Sequence, residues 1–144
     1  MALLTVGTPA PTFKGMNLTG PEVDLENYKG KKAVCLVFAP DSVDPAQTTA
    51  LKALAAKVQD KVEVVTIVRK IPGVPMAKAF LQQLGYKFPV VYDASMALFK
   101  SFGVESPVAV FIIDANGSIV YAAQSGPLKV DIKAIGDALA ANVK

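Results

Sequence analysis

The chain has no histidine and a single cysteine, Cys35, among its 144 residues. One thiol cannot close an internal disulfide. With no imidazole beside it, there are too few soft ligands for a structural zinc site, so no metal is expected. Long apolar runs are also missing: although 52% of residues are hydrophobic, no stretch approaches the ~18 residues of a membrane span. The opening MALLTVGTPAP lacks a basic n-region, and its apolar stretch is short for a signal peptide, which makes the cytoplasm the expected compartment. A basic patch is absent too. The net charge is only +3, and the lysines are scattered, densest at Lys29, Lys31, Lys32 and beside Arg69 at Lys70. That distribution speaks for a solvated surface rather than a nucleic-acid partner. Finally, no glycine occurs between Lys31 and Gly73, which removes the glycine-rich phosphate turn a nucleotide-binding sheet would need after its first long strand. No cofactor is expected.

What is present is a series of apolar segments separated by turn signals. Met1 to Pro11 reads as an extended arm packed through Leu3, Leu4 and Val6, since Pro9 and Pro11 exclude helix. Short strands are expected around Phe13 and Val23, joined by the turn Thr19-Gly20-Pro21, with a polar connector over Glu26 to Lys32. Ala33 to Ala39, AVCLVFA, is apolar at every position, the pattern of a central strand covered on both faces. Pro45 to Gln59 places Leu51, Leu54, Ala55 and Val58 on one helical face. Val62 to Val68 reads as the next buried strand, Ile71 to Pro75 as a break, and Met76 to Leu84 as a helix stopped by Gly85. Phe88 to Tyr92 is a short strand or extended segment, and Ala94 to Phe102 a short helix ended by Gly103. Val108 to Ile113 and Ile119 to Ala123 flank Ala115-Asn116-Gly117, a strong hairpin signal in which Asp114 and Gly117 supply turn chemistry. Leu128 to Val143 closes the chain as a helix with Ile132, Ile135, Leu139 and Val143 on its apolar stripe.

No repeat or linker divides the chain, so residues 1–144 read as one domain. Helices alternate with buried strands in the first half, and an antiparallel hairpin followed by a helix completes the second. That order predicts a three-layer α/β sandwich with a mixed sheet. A doubly wound nucleotide-binding sheet is the competing architecture, without its phosphate turn.

Phe38 to Gln47, FAPDSVDPAQ, is the strand-to-helix junction where chemistry would be sought, because such junctions gather backbone N–H groups and the positive end of a helix dipole. This one holds no cysteine, histidine or lysine. Its residues fit a helix start instead, with Asp44 as N-cap, Pro45 at the first helical position and Gln47 completing a capping box.

Taken with Gly7 to Pro11, the Lys-Gly-Lys at Lys29 to Lys31, the proline before Val108 and the Asp-Ala-Asn-Gly hairpin, the chain resembles thioredoxin-fold proteins of the peroxiredoxin and thiol-specific antioxidant (redoxin) group over nearly its whole length. The resemblance implies a thioredoxin-like sandwich with an N-terminal hairpin extension. It also implies an active-site pattern of proline, three residues, a hydroxyl residue, two residues and the reactive cysteine. On this chain Pro40 matches the proline, Asp44 stands at the hydroxyl position and Gln47 at the cysteine. Laid on thioredoxin's paired cysteines, the same stretch offers Val43-Asp44-Pro45-Ala46 and keeps only the proline. The arginine that peroxiredoxins carry near the later strand has no counterpart in Ser106-Pro107-Val108-Ala109. Pro107 matches the cis-proline that faces the active-site helix, whereas an ordinary trans proline at a strand start is the alternative.

The chemistry of the loop points the same way. A reactive thiolate is favoured by positive charge, and this segment offers Asp41 and Asp44 with no basic residue adjacent in sequence. Cys35 lies inside an apolar strand, where a free cysteine behaves as a small hydrophobe. Three functions remain open: binding of a protein partner or small ligand in a degenerate groove formed by Pro40, Asp41, Val43, Asp44, Pro45, Ala46, Gln47, Ser106 and Pro107, or through a homodimer face; a thiol peroxidase or oxidoreductase using Cys35 or an unrecognised site; and a structural subunit of an assembly.

Overall fold

The computed structural model describes residues 3–41, 45–71, 73–105, 108–125 and 132–142, and the side chains of residues 40, 41, 45–47, 125 and 132 are not described. The apolar runs form a five-stranded sheet in the order β5 (Val90–Tyr92), β4 (Val62–Lys70), β3 (Ala33–Asp41), β6 (Val108–Ile113), β7 (Ile119–Ser125). Its centre is β3, Ala33–Asp41. Helix α1, Pro45–Val58, crosses over to β4, Val62–Lys70, which lies parallel to β3 with Cys35 opposite Val64 and Asp41 opposite Lys70. Helix α2, Val74–Gln83, makes the second crossover, to the short parallel strand β5, Val90–Tyr92. On the other side β6, Val108–Ile113, pairs antiparallel with β3, and β7, Ile119–Ser125, pairs antiparallel with β6. This is the mixed sheet expected from the order of elements, and the parallel half is the half that has helical crossovers.

Because both faces of the sheet are covered, the central strands read as continuous apolar runs rather than alternating ones. On one face Cys35, Val37 and Ala39 pack with Val64 and Val68 against Leu51 and Ala55 of α1, Ala77 and Leu81 of α2, and Ile135 and Leu139 of α4, Ile132–Asn142. On the other, Val34, Leu36 and Phe38 pack with Val65 and Ile67 against Phe99 of α3, Ala97–Ser101, and against Phe102, Phe111 and Leu25. Helices therefore lie on both faces. The small second sheet, β1 at Lys14–Gly15 paired with β2 at Val23–Asp24, is the expected N-terminal hairpin. It sits so close to the main sheet that a Cβ at Gly15 would come within 2.6 Å of Val91 Cγ1.

Some boundaries differ from the sequence reading, each for a physical reason. The arm is tied down by Leu4 N–H donating to Phe102 O and Gly7 N–H to Ile119 O, but Val6 is 61% exposed and contributes nothing to the core. The polar connector contains a 3-10 turn, Leu25–Tyr28, started by the Asp24 side chain accepting from Glu26 N–H. Helix α2 starts at Val74, inside the expected break, because Pro75 falls in the first turn, where its missing N–H has no helical partner to lose. Helix α3 begins three residues later than expected. Met96 takes a left-handed conformation, φ 63°, and the helix start is capped from Asp93, whose Oδ2 accepts from Leu98 N–H at 2.9 Å and Phe99 N–H at 3.0 Å. The hairpin between β6 and β7 follows the sequence signal: Asp114 Oδ1 accepts from Asn116 N–H and Ser118 N–H, and Gly117 takes φ 89°. For the closing helix, only Ile132 to Asn142 lies within the described residues.

Candidate functional site

In a sheet of this kind the strands β3 and β4 run parallel and deliver their C-terminal ends to one edge, where the following helices begin. Ligand sites of α/β folds open at that edge. Here it collects the end of β3 at Asp41, the end of β4 at Lys70, the start of α1 at Pro45 and the start of α2 at Val74. Pro40 and Asp41 continue the β3 backbone into the edge, and Gln47 falls in the first turn of α1, followed by the buried Thr48. Ser42, Val43, Asp44, Ser106 and Pro107 lie outside the described residues. The capping of α1 by Asp44 and the geometry at Pro107 therefore lie outside them as well.

Cys35 is nowhere near this edge. It sits in mid-strand, opposite Val64 on one side and Ile112 on the other, and is 0% exposed. Five residues of extended chain separate it from Pro40, roughly 16 Å. Burial pushes its thiol pKa up to about 12. The charged thiolate is disfavoured because the surrounding side chains offer no solvation, and the thiolate is the nucleophilic form. The surroundings of Cys35 thus suit packing.

The structure also brings together residues that the sequence reading kept apart. Lys70 stands opposite Asp41 in the ladder, so the edge is not purely acidic. Beside Lys70 is Arg69, the only arginine of the chain, whose guanidinium lies 6.0 Å from the centroid of the Phe99 ring. Phe99 in turn packs edge-on against Phe38 at 5.0 Å, which joins Arg69 to the aromatic cluster beneath Pro40. A sequence signal for this existed: two buried strands joined by a single helix run parallel, so their ends meet. The register, which decides that Lys70 and Asp41 are partners, is a tertiary property.

A mixed five-stranded sheet centred on β3, with helices on both faces and a site edge at the first strand-to-helix junction, defines a thioredoxin-like protein. The Redoxin family model matches residues 5–139, and the chain belongs to that family. Among curated relatives, the thiol-disulfide oxidoreductase ResA of Bacillus thuringiensis (strain Al Hakam) is 29% identical over 120 residues, which cover 81% of this chain and 68% of that protein. Among solved structures, the reduced 2-Cys peroxiredoxin of Plasmodium vivax superimposes with a TM-score of 0.79 at 25% identity, over 94% of each chain. A secreted Mycobacterium tuberculosis disulfide oxidoreductase gives 0.72 at 20% identity, over 90% of this chain and 95% of that one, a likeness of fold alone.

Proposed function

We propose that this redoxin works by binding rather than by thiol chemistry, and that the surface it uses is the groove of Pro40, Asp41, Val43, Asp44, Pro45, Ala46, Gln47, Ser106 and Pro107. The observation that carries this reading is the state of the chain's one thiol: Cys35 is fully buried in the central strand, with its pKa pushed up to about 12. On the two alignments that the resemblance allows, the reactive cysteine position is held by Gln47 or, for paired cysteines, by Val43 and Ala46; an amide can donate and accept hydrogen bonds and the two aliphatic side chains can do neither, and none of the three can attack a peroxide or a disulfide. A groove that keeps a helix N-terminus and polar side chains while lacking a nucleophile is suited to recognition. The occupant is a protein partner or a small ligand, with a second copy of the chain as one candidate. A reducing compartment, the cytoplasm, fits a protein with one buried thiol, and among the described residues no helix is long and apolar enough to cross a membrane.

The competing reading, a thiol oxidoreductase acting through Cys35, draws on the activity named for the ResA relatives. Two measurements separate the readings. Peroxide consumption and disulfide reduction with a dithiol reductant are expected at background level in the wild type and in Cys35→Ser alike, and turnover that disappears in Cys35→Ser would overturn the binding proposal. A photo-crosslinking residue placed at position 47 is expected to trap a partner or ligand that the same residue at Lys57 does not. Equal trapping at both positions would move the binding surface away from the groove.

A further inference from the structure

We infer that Arg69 makes the groove edge a carboxylate-binding site, in which its guanidinium fork receives the planar carboxylate of a small organic acid or of a chain terminus. The inference rests on the groove reading above and names the ligand chemistry it would serve. Three observations carry it.

The first is position. Arg69 falls between the ladder pairs Ala39–Val68 and Asp41–Lys70, which puts it alongside the Pro40 backbone at the edge where the parallel strands end. The second is orientation. Along β4, Val65 and Ile67 point into the aromatic face, Arg69 continues that row, and its guanidinium rests over the Phe99 ring at 6.0 Å. A ring face attracts the cation and holds the planar group, so less freedom is lost when a ligand binds. The third is an unmet need. Arg69 is half-buried, and among the described residues it forms no ion pair. The acid on the neighbouring strand segment, Asp93, which donates its own N–H to Val68 O, has its carboxylate engaged by the N–H groups of Leu98 and Phe99. A half-buried guanidinium has several N–H donors in one plane, and a planar carboxylate satisfies two of them at once.

Because the chain has one arginine, the Nε–H resonance of Arg69 is a single reporter in a 1H–15N spectrum of the intact protein. The probes are 3-phenylpropionate, its uncharged amide, N-acetylphenylalanine as a chain-terminus carboxylate, and inorganic phosphate. Each is added to about 20 mM, enough to fill a millimolar site. At least one of the two carboxylates is expected to shift the Arg69 resonance in a saturable way, and the uncharged amide is not. Which carboxylate binds tighter tells a free acid from a chain terminus. Read through the backbone amides of Ala39 and Asp41, which the variants keep, Arg69→Lys, which keeps the charge and loses the fork, should weaken binding about tenfold, and Arg69→Gln should remove it, with the backbone spectrum otherwise retained. Equal shifts from acid and amide, a response to phosphate alone, or unchanged affinity in Arg69→Lys would each overturn the proposal. Movement of the Ala39 and Asp41 amides without Arg69 would refute the assignment to Arg69 while leaving the groove reading standing. No shift from any carboxylate would end the carboxylate proposal, and the groove reading would then stand or fall by the crosslinking result at position 47.

Discussion

The two faces of β3 solve the same packing problem in different ways. On one, Phe38 meets Phe99, Phe102 and Phe111 at centroid distances of 5.0, 5.4 and 5.7 Å, with Phe102 and Phe111 a further 5.1 Å pair. Large rings at tilted and edge-on angles fill that layer, and its buried acid, Asp93, has backbone donors for partners. On the other, Cys35, Val37 and Ala39 are small, which lets α1, α2 and α4 approach closely, but the layer also buries Thr66 and Tyr86. Their hydroxyls lie close enough to influence one another without completing a hydrogen bond. The contrast shows that the thiol belongs to the small-residue layer by size. The site edge, in turn, is supported from the aromatic side, where Phe38 and Phe99 lie under Pro40 and Arg69.

The comparison breaks most visibly if the aromatic face is not the stronger one. Phe38→Ala removes the ring that three others contact and should cost about 3–5 kcal/mol, against roughly 1–2 kcal/mol for Val37→Ala on the opposite face. Urea unfolding with an unchanged m-value measures both. Similar losses at the two positions would mean that the layers do not differ in the way their contacts suggest.

Much of this architecture is legible before any coordinates. AVCLVFA, VEVVTIV and VAVFII are apolar without alternation, and strands buried on both faces require that. Asn116-Gly117 marks the hairpin because the residue that follows its turn takes positive φ, which Gly117 supplies. What escapes is whatever depends on contacts distant in sequence. Nothing local tells that Asp93 caps α3 across a left-handed Met96, since the usual cap precedes its helix directly. Nor does anything local place Lys70 against Asp41 or Arg69 over Phe99, because register and strand length are set by the whole sheet. The burial of Cys35 can be read from its position in an apolar run. The basic residues of the site edge cannot.

A titration sharpens the comparison on the thiol side. A cysteine thiol ordinarily ionises near 9, and burial holds Cys35 up to about 12 in the fold. The folded state therefore keeps a proton that the unfolded chain releases. Its contribution to stability is fully present below about 9 and is lost as pH rises toward 12, with a slope of roughly 1.4 kcal/mol per pH unit. Tyr28 and Tyr86 are also raised by burial, so the wild-type curve alone mixes several groups. The difference between wild type and Cys35→Ala isolates the thiol and should be flat below pH 8 and fall above 9. A flat difference throughout would place Cys35 in contact with solvent.

On the aromatic side the matching polar test is Asp93. Its carboxylate takes the N–H groups of Leu98 and Phe99, and Asp93→Ala leaves the start of α3 uncapped beneath Arg69. The expected cost is about 1–2 kcal/mol, with Asp93→Asn recovering part of it because an amide oxygen can still accept. Hydrogen exchange at Leu98 and Phe99 should speed up in Asp93→Ala while exchange in β6 tracks only the global loss. Equal acceleration everywhere would make Asp93 a general core residue rather than a cap.

The smallest effect is expected where the small-residue layer carries its unmet hydroxyls. Tyr86→Phe removes an oxygen that completes no hydrogen bond and keeps a ring that packs edge-on to Phe88 at 5.8 Å. Deleting a partnered buried hydroxyl would cost about 1 kcal/mol, whereas deleting an unpartnered one relieves desolvation. The change should therefore lie between zero and about 1 kcal/mol of added stability, and Thr66→Val should behave alike, since it trades the other hydroxyl for a methyl of similar volume. Because the two hydroxyls sit in one environment, the double variant is the informative measurement. If they are independent its effect equals the sum of the singles, and if each offsets the cost of burying the other the singles are destabilising and the double recovers the loss. The second pattern would mean that the thiol face, like the aromatic one, has its polar atoms paired, and the contrast between the two faces of β3 would reduce to side-chain size.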